Sequence, residues 1–356
     1  MTVLGLPQIN IEFFGKAVSA VARSERGIVA LILKDDTTKA KSQEITSIDE
    51  LVATDWTADN LKYIKQALKG VPAKIIIEVI AADSTDFTEG LKRLSSKKFN
   101  YLAIPSITGA QTEDVVTWIK EKRKNKKTFK AILPNTKADS EGVINFTAKG
   151  IKVGEDIFET AEYTPRIAGI IAGLPFTRSS TYYVLDEIDE IIEPVDPDAA
   201  IDNGELILIT DGENIKIGRG LNSLVTTTTT KTEDFKSIRV MEVMDMIQDD
   251  IRITFNDHYT GKVNNIYDNQ VLFITSINSY FKGLATFPNE ILDPNYTNKA
   301  DINVTAQRLA WEAIGTDTST WDDQVVKKTS FKKNVFLASN IKIVDTMEDL
   351  DFNIFI

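Results

Sequence analysis

The 356 residues include 41 Lys plus Arg against 52 Asp plus Glu, a formal net charge of −11, with 42% hydrophobic and 26% charged residues. This balance excludes a wholly disordered or collagen-like chain, and the length predicts two or three domains rather than one core. The acidic sign argues against a general nucleic-acid partner. The absence of cysteine removes disulfides, thiol nucleophiles and thiolate metal sites, and a single histidine, His258, leaves little catalytic chemistry.

Met1 to Phe14 has no basic segment ahead of an apolar one, which predicts no leader. Ile9, Ile11 and Phe13 alternate with Asn10 and Glu12, the period of a strand, and the small polar residues that follow to Glu25 suit a connector. Gly27 to Leu33 (GIVALIL) is apolar throughout, so it predicts a strand buried on both faces. Leu61, Ile64 and Leu68 share a helical face, with Thr57 placed to cap that helix and Gly70 to end it. Strands at Lys74–Ala81, Asn100–Pro105 and Phe129–Pro134 then alternate with helices at Phe87–Leu94 and Thr112–Lys126. Such alternation predicts an α/β domain with a mainly parallel sheet.

A helix is expected in YTPRIAGIIAGLPFTR (Tyr163 to Arg178), with Thr164 as cap and Pro165 at its first position. Its apolar core, Ile167 to Phe176, is about half the length that spans a bilayer, so no membrane insertion is expected. Gly169 and Gly173 instead predict close packing on a neighbouring element. From Asp186 to Glu205 there are nine carboxylates and no cation. Asp196, Asp198 and Asp202 have calcium-loop spacing, but Ile201 stands where the sharp turn needs glycine, so no metal site follows. Beyond the run Thr226–Thr230 the pattern is helical, from Phe235 to Phe255 with Thr232 as cap candidate, then Asp268–Gly283 and Val304–Ile314. Two strand patterns, Asn334–Asp345 and Asp349–Ile356, complete the series.

Enzymatic signals are weak. His258, near Asp257 and Glu242, has no nucleophile elbow to serve and is expected at a surface or a helix end. Gly218-Arg219-Gly220 lacks the third glycine of a nucleotide fingerprint and predicts a turn, so no cofactor is expected. Charge is patterned more strongly. Lys120 to Lys130 holds seven cations against Glu121 alone. Lys122, Arg123, Lys126 and Lys127 are candidates to meet Glu187, Asp189 and Glu190 across a subunit contact, where such pairs supply steering and register; for a monomer, both segments read as solvated faces. Leu350, Phe352, Ile354 and Ile356 alternate with Asp351, Asn353 and Phe355, and such an apolar strand must fold back or be donated to a neighbour, as must Ile9, Ile11 and Phe13. Burying four such side chains contributes about 6–12 kcal/mol, while ordering the segment costs about 7–14 kcal/mol. One donated strand is therefore marginal, and a lattice of donors makes it cooperative.

The sequence resembles the contractile tail sheath proteins of bacteriophages and phage-tail-like (R-type) bacteriocins, in the compact Gram-positive defective-prophage form. GLPQINIEF, RSERGIVALIL, YTPRIAGIIAGLPFTRS, NGELILITDGENIKIGRGLNSL, the Asp249-Asp250-Ile251-Arg252 helix and NVFLASNIKIVDTMEDLDFNIFI carry the likeness over nearly the whole chain. The resemblance implies an α/β plus α+β fold: an arm at 1–25, an N-terminal α/β part at 26–95, a subtilisin-like α/β sheath domain at 96–230, an α+β domain at 231–345 and an arm strand at 346–356. With one histidine, no protease triad can be placed, so the label describes fold alone. It further implies assembly in a bacterial cytoplasm into a helical homopolymer. Inner tube, baseplate and tail-terminator proteins would be its partners, in the tail of a released particle. Lys327, Lys328, Lys332 and Lys333 are candidates to grip the tube, or else a solubilising cluster. A contractile secretion-system sheath and an α/β hydrolase are the alternatives, the second leaving the apolar alternation unexplained.

Overall fold

The computed structural model describes residues 26–38 and 40–355. The expected strand of Ile9, Ile11 and Phe13, the connector to Glu25, and Ile356 lie outside the described residues. The described chain forms two compact units, one of residues 26–249 with 343–355 and the other of 250–342.

In the first unit the order is β1 (Ile28–Lys34), β2 (Ser42–Ile45), α1 (Ala58–Lys69), β3 (Lys74–Ile80), α2 (Thr88–Leu94), β4 (Tyr101–Ala103), α3 (Gly109–Lys124), β5 (Lys130–Pro134) and β6 (Val143–Phe146). There follow β7 (Lys149–Val153), β8 (Asp156–Phe158), α4 (Thr164–Gly173), β9 (Glu190–Ile192), α5 (Pro197–Asp202), β10 (Glu205–Leu206), β11 (Leu208–Thr210), β12 (Ile215–Ile217) and α6 (Ile238–His258), which carries the chain into the second unit. A seven-stranded sheet in the order β10–β6–β5–β4–β1–β3–β2 organises the unit, with β2 alone antiparallel to its neighbour.

The apolar run of β1 explains its central place. Val29, Leu31 and Leu33 pack into one core with α1 and α4, and Ile28, Ala30 and Ile32 into a second core with α2 and α3. Alternation along a strand sends these two sets to opposite faces, and both faces are covered. The Thr57 side chain caps α1 by accepting from the Asn60 N–H, and Gly70 ends it, as the sequence predicts.

One sheet spans the expected boundary at 95/96, with β1 paired to β3 on one side and to β4 on the other. Local periodicity reveals strands but not their partners, so it could not show one sheet running through that point. The compact units themselves divide within α6, at Asp249.

Helix α4 lies against α1 at backbone contact. A Cβ placed on Gly169 would sit 2.1 Å from the Ala67 carbonyl oxygen, and one on Gly173 would sit 1.8 Å from that of Gly70. Gly169→Ala raises helix propensity by up to about 1 kcal/mol. The clash nonetheless predicts a net loss of about 2 kcal/mol, because the two helices must separate. A urea midpoint at or above that of the wild type, with the slope unchanged, would contradict this contact.

The second unit continues with α7 (Tyr267–Ala285), β13 (Lys299–Ile302), α8 (Val304–Glu312), α9 (Asp323–Lys328) and β14 (Leu337–Asn340). Phe273, Ile277, Tyr280, Phe281 and Leu284 recur at helical spacing on α7 and are buried. β13 and β14 pair antiparallel, Lys299 to Asn340 through Ile302 to Leu337. Buried Gln307 of α8 donates to the carbonyls of Val326 (2.6 Å) and Thr329 (3.1 Å), which binds α9 to α8. Of the expected strand Asn334–Asp345, only Leu337–Asn340 forms. The expected strand at Asp349–Ile356 does not form within the chain over 349–355. A strand needs a ladder partner, and the described residues offer that segment none.

Candidate assembly surfaces

Two arginines hold the start of the C-terminal segment against the first unit. Buried Arg239 on α6 donates through Nε to the Phe176 carbonyl (2.8 Å) and through Nη1 to the Val344 carbonyl. Arg219 donates through Nη2 to both carboxylate oxygens of Asp349 (2.5 and 2.6 Å), and its Nε lies 3.4 Å from Glu348. The Gly-Arg-Gly turn thus supplies an anchor rather than a phosphate loop. Past Asp349 the hold ends. Leu350, Phe352, Ile354 and Phe355 are 88%, 71%, 73% and 93% exposed. That is a large apolar area to leave in water, and its backbone groups are unladdered.

In the second unit, the outer edges of the β13–β14 pair carry no further strand among the described residues. Lys327 is committed locally, 2.6 Å from Asp301. Lys332 lies over the Phe331 ring at 5.5 Å, and Lys328 and Lys333 are exposed. Lys332 and Lys333 border a groove floored by Phe255, Tyr259 and Phe273.

The charged candidates divide into those already engaged and those still available. Arg123, expected in the intersubunit set, is engaged within its own chain: its Nη1 and Nη2 each reach Asp245 at 3.0 Å. Lys130 lies in the same buried cluster, 2.6 Å from Glu242 and 2.7 Å from Asp245, with its ammonium 5.0 Å from the centre of the Tyr101 ring. Arg26 completes it, reaching Glu242 at 3.0 Å and Asp249 at 3.1 Å, while the Thr128 hydroxyl donates to Asp249 at 2.6 Å. Glu242, Asp245 and Asp249 share one face of α6 by helical spacing. Burial pushes the Glu242 carboxyl upward, but the Lys130 and Arg26 charges outweigh it and hold the group well below the usual carboxylate range. Burial alone would lower the Arg26 pKa, and the surrounding carboxylates raise it above its ordinary value.

Glu187 is likewise engaged within its own chain. It meets Arg166, accepts from the Tyr163 hydroxyl at 3.1 Å and lies 3.2 Å from Lys69. Burial raises its pKa, yet the Arg166 hydrogen bond and charge, with a backbone hydrogen bond and the Lys69 charge, together outweigh it and bring it from 4.5 to about 2. Asp189 is exposed and accepts the Gly154 N–H at 2.6 Å. Glu190 and Lys126 are exposed, Lys127 is half-buried, and Lys122 lies 5.5 Å over the Trp118 ring. Asp196 caps α5 by accepting the Ala199 N–H at 3.0 Å, which replaces the calcium-loop geometry. His258 is exposed at the last residue of α6.

Sequence reasoning missed Arg26, Lys130, Asp245 and Arg239 as structural charges. The one available signal was on α6, where Glu242, Asp245 and Asp249 line up beside buried Val243, Met246 and Ile247.

Comparison with known proteins gives a consistent picture. Residues 81–223 match the model of the phage tail sheath protein central domain, and residues 230–356 match that of the phage tail sheath C-terminal domain. The chain is 40% identical to the tail sheath protein of Clostridium phage phiCD119, covering 98% of this chain and 99% of that one. Among solved structures, the sheath tail protein of Desulfitobacterium hafniense aligns with a TM-score of 0.70 at 17% identity, covering 83% of this chain and 94% of that chain. The helical sheath of the anti-feeding prophage in its contracted state aligns at 0.65 and 13% identity, over 99% of each chain.

Proposed function

The chain belongs to the phage tail sheath family, and from that premise we propose that it is the structural subunit of a contractile sheath, polymerising helically around an inner tube and contracting to drive that tube through a cell envelope. The observation that carries the mechanism is the segment of Leu350, Phe352 and Ile354, anchored at its root by Arg219 and presented bare to solvent. Donated to a neighbour, it gains the ladder partner and apolar cover that the described residues of its own chain do not give. The outer edge of β14 suits such a strand, whereas that of β13 is capped by the Asn278 side chain, which accepts the Ala300 N–H at 2.7 Å and donates to the Ala300 carbonyl at 3.2 Å; Ile9, Ile11 and Phe13 are candidates for a reciprocal strand.

The role is mechanical rather than catalytic. Folded units move as nearly rigid bodies while the arms stay paired. The extended state persists because leaving it requires lattice contacts to break, so its stability is kinetic. The inner tube, the baseplate and a tail terminator are the partners, with Lys328, Lys332 and Lys333 the cations available for a tube contact. Assembly takes place in the bacterial cytoplasm, and the sheath then forms part of a released particle.

Negative-stain electron microscopy tests this, on the purified chain and on the chain co-expressed with tube and baseplate proteins. Hollow tubes of uniform diameter in either preparation are expected. Dispersed single chains in both would overturn the proposal.

A further inference from the structure

The aromatic groove of the second unit carries the opposite sign to the chain as a whole. It has a volume of about 490 Å³, and no Asp or Glu lines it. Three rings make its floor. Phe255 and Tyr259, four residues apart on and just past the last turn of α6, have centroids 6.0 Å apart, and Phe273 of α7 packs on them at 5.3 and 4.6 Å. Lys332 and Lys333 stand exposed at the border, and neither has a carboxylate within 4.0 Å among the described residues.

Side-chain amides fix the rim and leave one acceptor over. The Asn265 Nδ2 donates to the carbonyls of Lys332 and Asn334, both at 3.0 Å, so the turn that carries the two lysines is held to the segment leading into α7. With its nitrogen so placed, Asn265 turns its Oδ1 to the Gln270 Nε2, which donates to it at 2.6 Å and to the Ser330 hydroxyl oxygen at 3.2 Å. Those bonds fix which end of the Gln270 amide is nitrogen. Its Oε1 is buried and has no hydrogen-bond partner among the described residues, an acceptor that a donor brought from outside would satisfy.

An apolar, aromatic wall with a few fixed polar groups, at a volume of about 300–1,000 Å³, is the usual make-up of a small-molecule site. We propose that this groove binds a small aromatic carboxylate that also carries an N–H donor. The ring lies against Phe255, Tyr259 and Phe273, where offset or edge contact between π-systems is favoured. The carboxylate pairs with Lys332 and Lys333. The N–H reaches the Gln270 Oε1 and makes the bond that the free chain lacks. This site goes beyond the sheath reading and does not depend on it, since every residue concerned lies in the second unit of one chain.

Saturation-transfer NMR on the full chain tests it with three probes that share one ring system. Indole-3-acetate has ring, N–H and carboxylate; tryptamine replaces the carboxylate by an ammonium; 1-methylindole-3-acetate lacks the N–H. Indole-3-acetate is expected to bind in the millimolar range or tighter, as a ligand of its size allows. Tryptamine should bind about tenfold more weakly or worse, and the methylated probe about fivefold more weakly. Lys332→Gln with Lys333→Gln should bring indole-3-acetate and tryptamine to within about threefold of each other. Val263→Trp, a larger side chain at an exposed lining position, should abolish binding of all three probes. Both variants change exposed positions, so an unchanged thermal midpoint is expected of each. Tryptamine bound as tightly as indole-3-acetate would mark general apolar adsorption, on the bare Phe352 segment for instance, and would overturn the site. So would a methylated probe bound as tightly, a Val263→Trp chain that binds as the wild type does, or no transfer to indole-3-acetate at about 10 mM.

Discussion

A chain carrying Leu350→Asp, Phe352→Asp and Ile354→Asp is expected to fold with an unchanged thermal midpoint and to form no tubes. The first half follows from exposure: these side chains already face solvent, so replacing them removes no contact within the chain. The second half follows from what a neighbour would lose. Each apolar side chain buried in a receiving subunit contributes about 1.5–3 kcal/mol, so the three together supply roughly 5 kcal/mol or more per link. At 1.4 kcal/mol per decade, the pairing constant falls by about a thousandfold or more. In a lattice of donors every subunit both gives and receives, so the loss would recur at each node. Electron microscopy and differential scanning calorimetry on the same preparation separate the two halves. Tubes as abundant as the wild type's would sink strand donation. A midpoint lowered by several degrees would show instead that the segment packs on its own chain.

Lys130→Met is expected to cost about 3–5 kcal/mol, because it leaves a buried carboxylate without a counter-charge. The cluster is balanced as it stands: Arg26, Arg123 and Lys130 face Glu242, Asp245 and Asp249. Removing the ammonium leaves one negative charge in excess where burial already penalises ionisation. Adding Glu242→Gln to Lys130→Met restores the balance as Arg26 with Asp249 and Arg123 with Asp245. The double variant should therefore recover most of the loss, since an ion pair replaced as a pair is often nearly neutral. Guanidinium unfolding of the wild type, the single and the double variants measures both effects. A double variant as unstable as the single one would mean that lost packing, rather than the unpaired charge, sets the cost.

The sequence made some of this architecture plain and concealed the rest for identifiable reasons. The GIVALIL run showed a central strand, and Thr57 and Gly70 bounded a helix, because those signals are local. That β1 has β3 and β4 as its two neighbours was not readable, since pairing joins residues tens of positions apart. The basic run near Lys130 read as a solvated face, yet Lys130 is fully buried. Its burial is decided by α6, more than 100 residues further along the chain. Alternation at Leu350, Phe352 and Ile354 was legible. The sequence left two fates open for that segment, folding back or donation, and among the described residues none ladders with it over 349–355.

The pairing of Arg219 with Asp349 makes a tether of the segment beyond it. The seven residues from Leu350 to Ile356 reach about 23 Å when extended. On the strand-donation reading, a receiving edge for these residues on a neighbour lies within that reach of Arg219. A tether this short holds its tip at roughly millimolar local concentration, so a link that stays paired favours a stroke of angle over one of stretch.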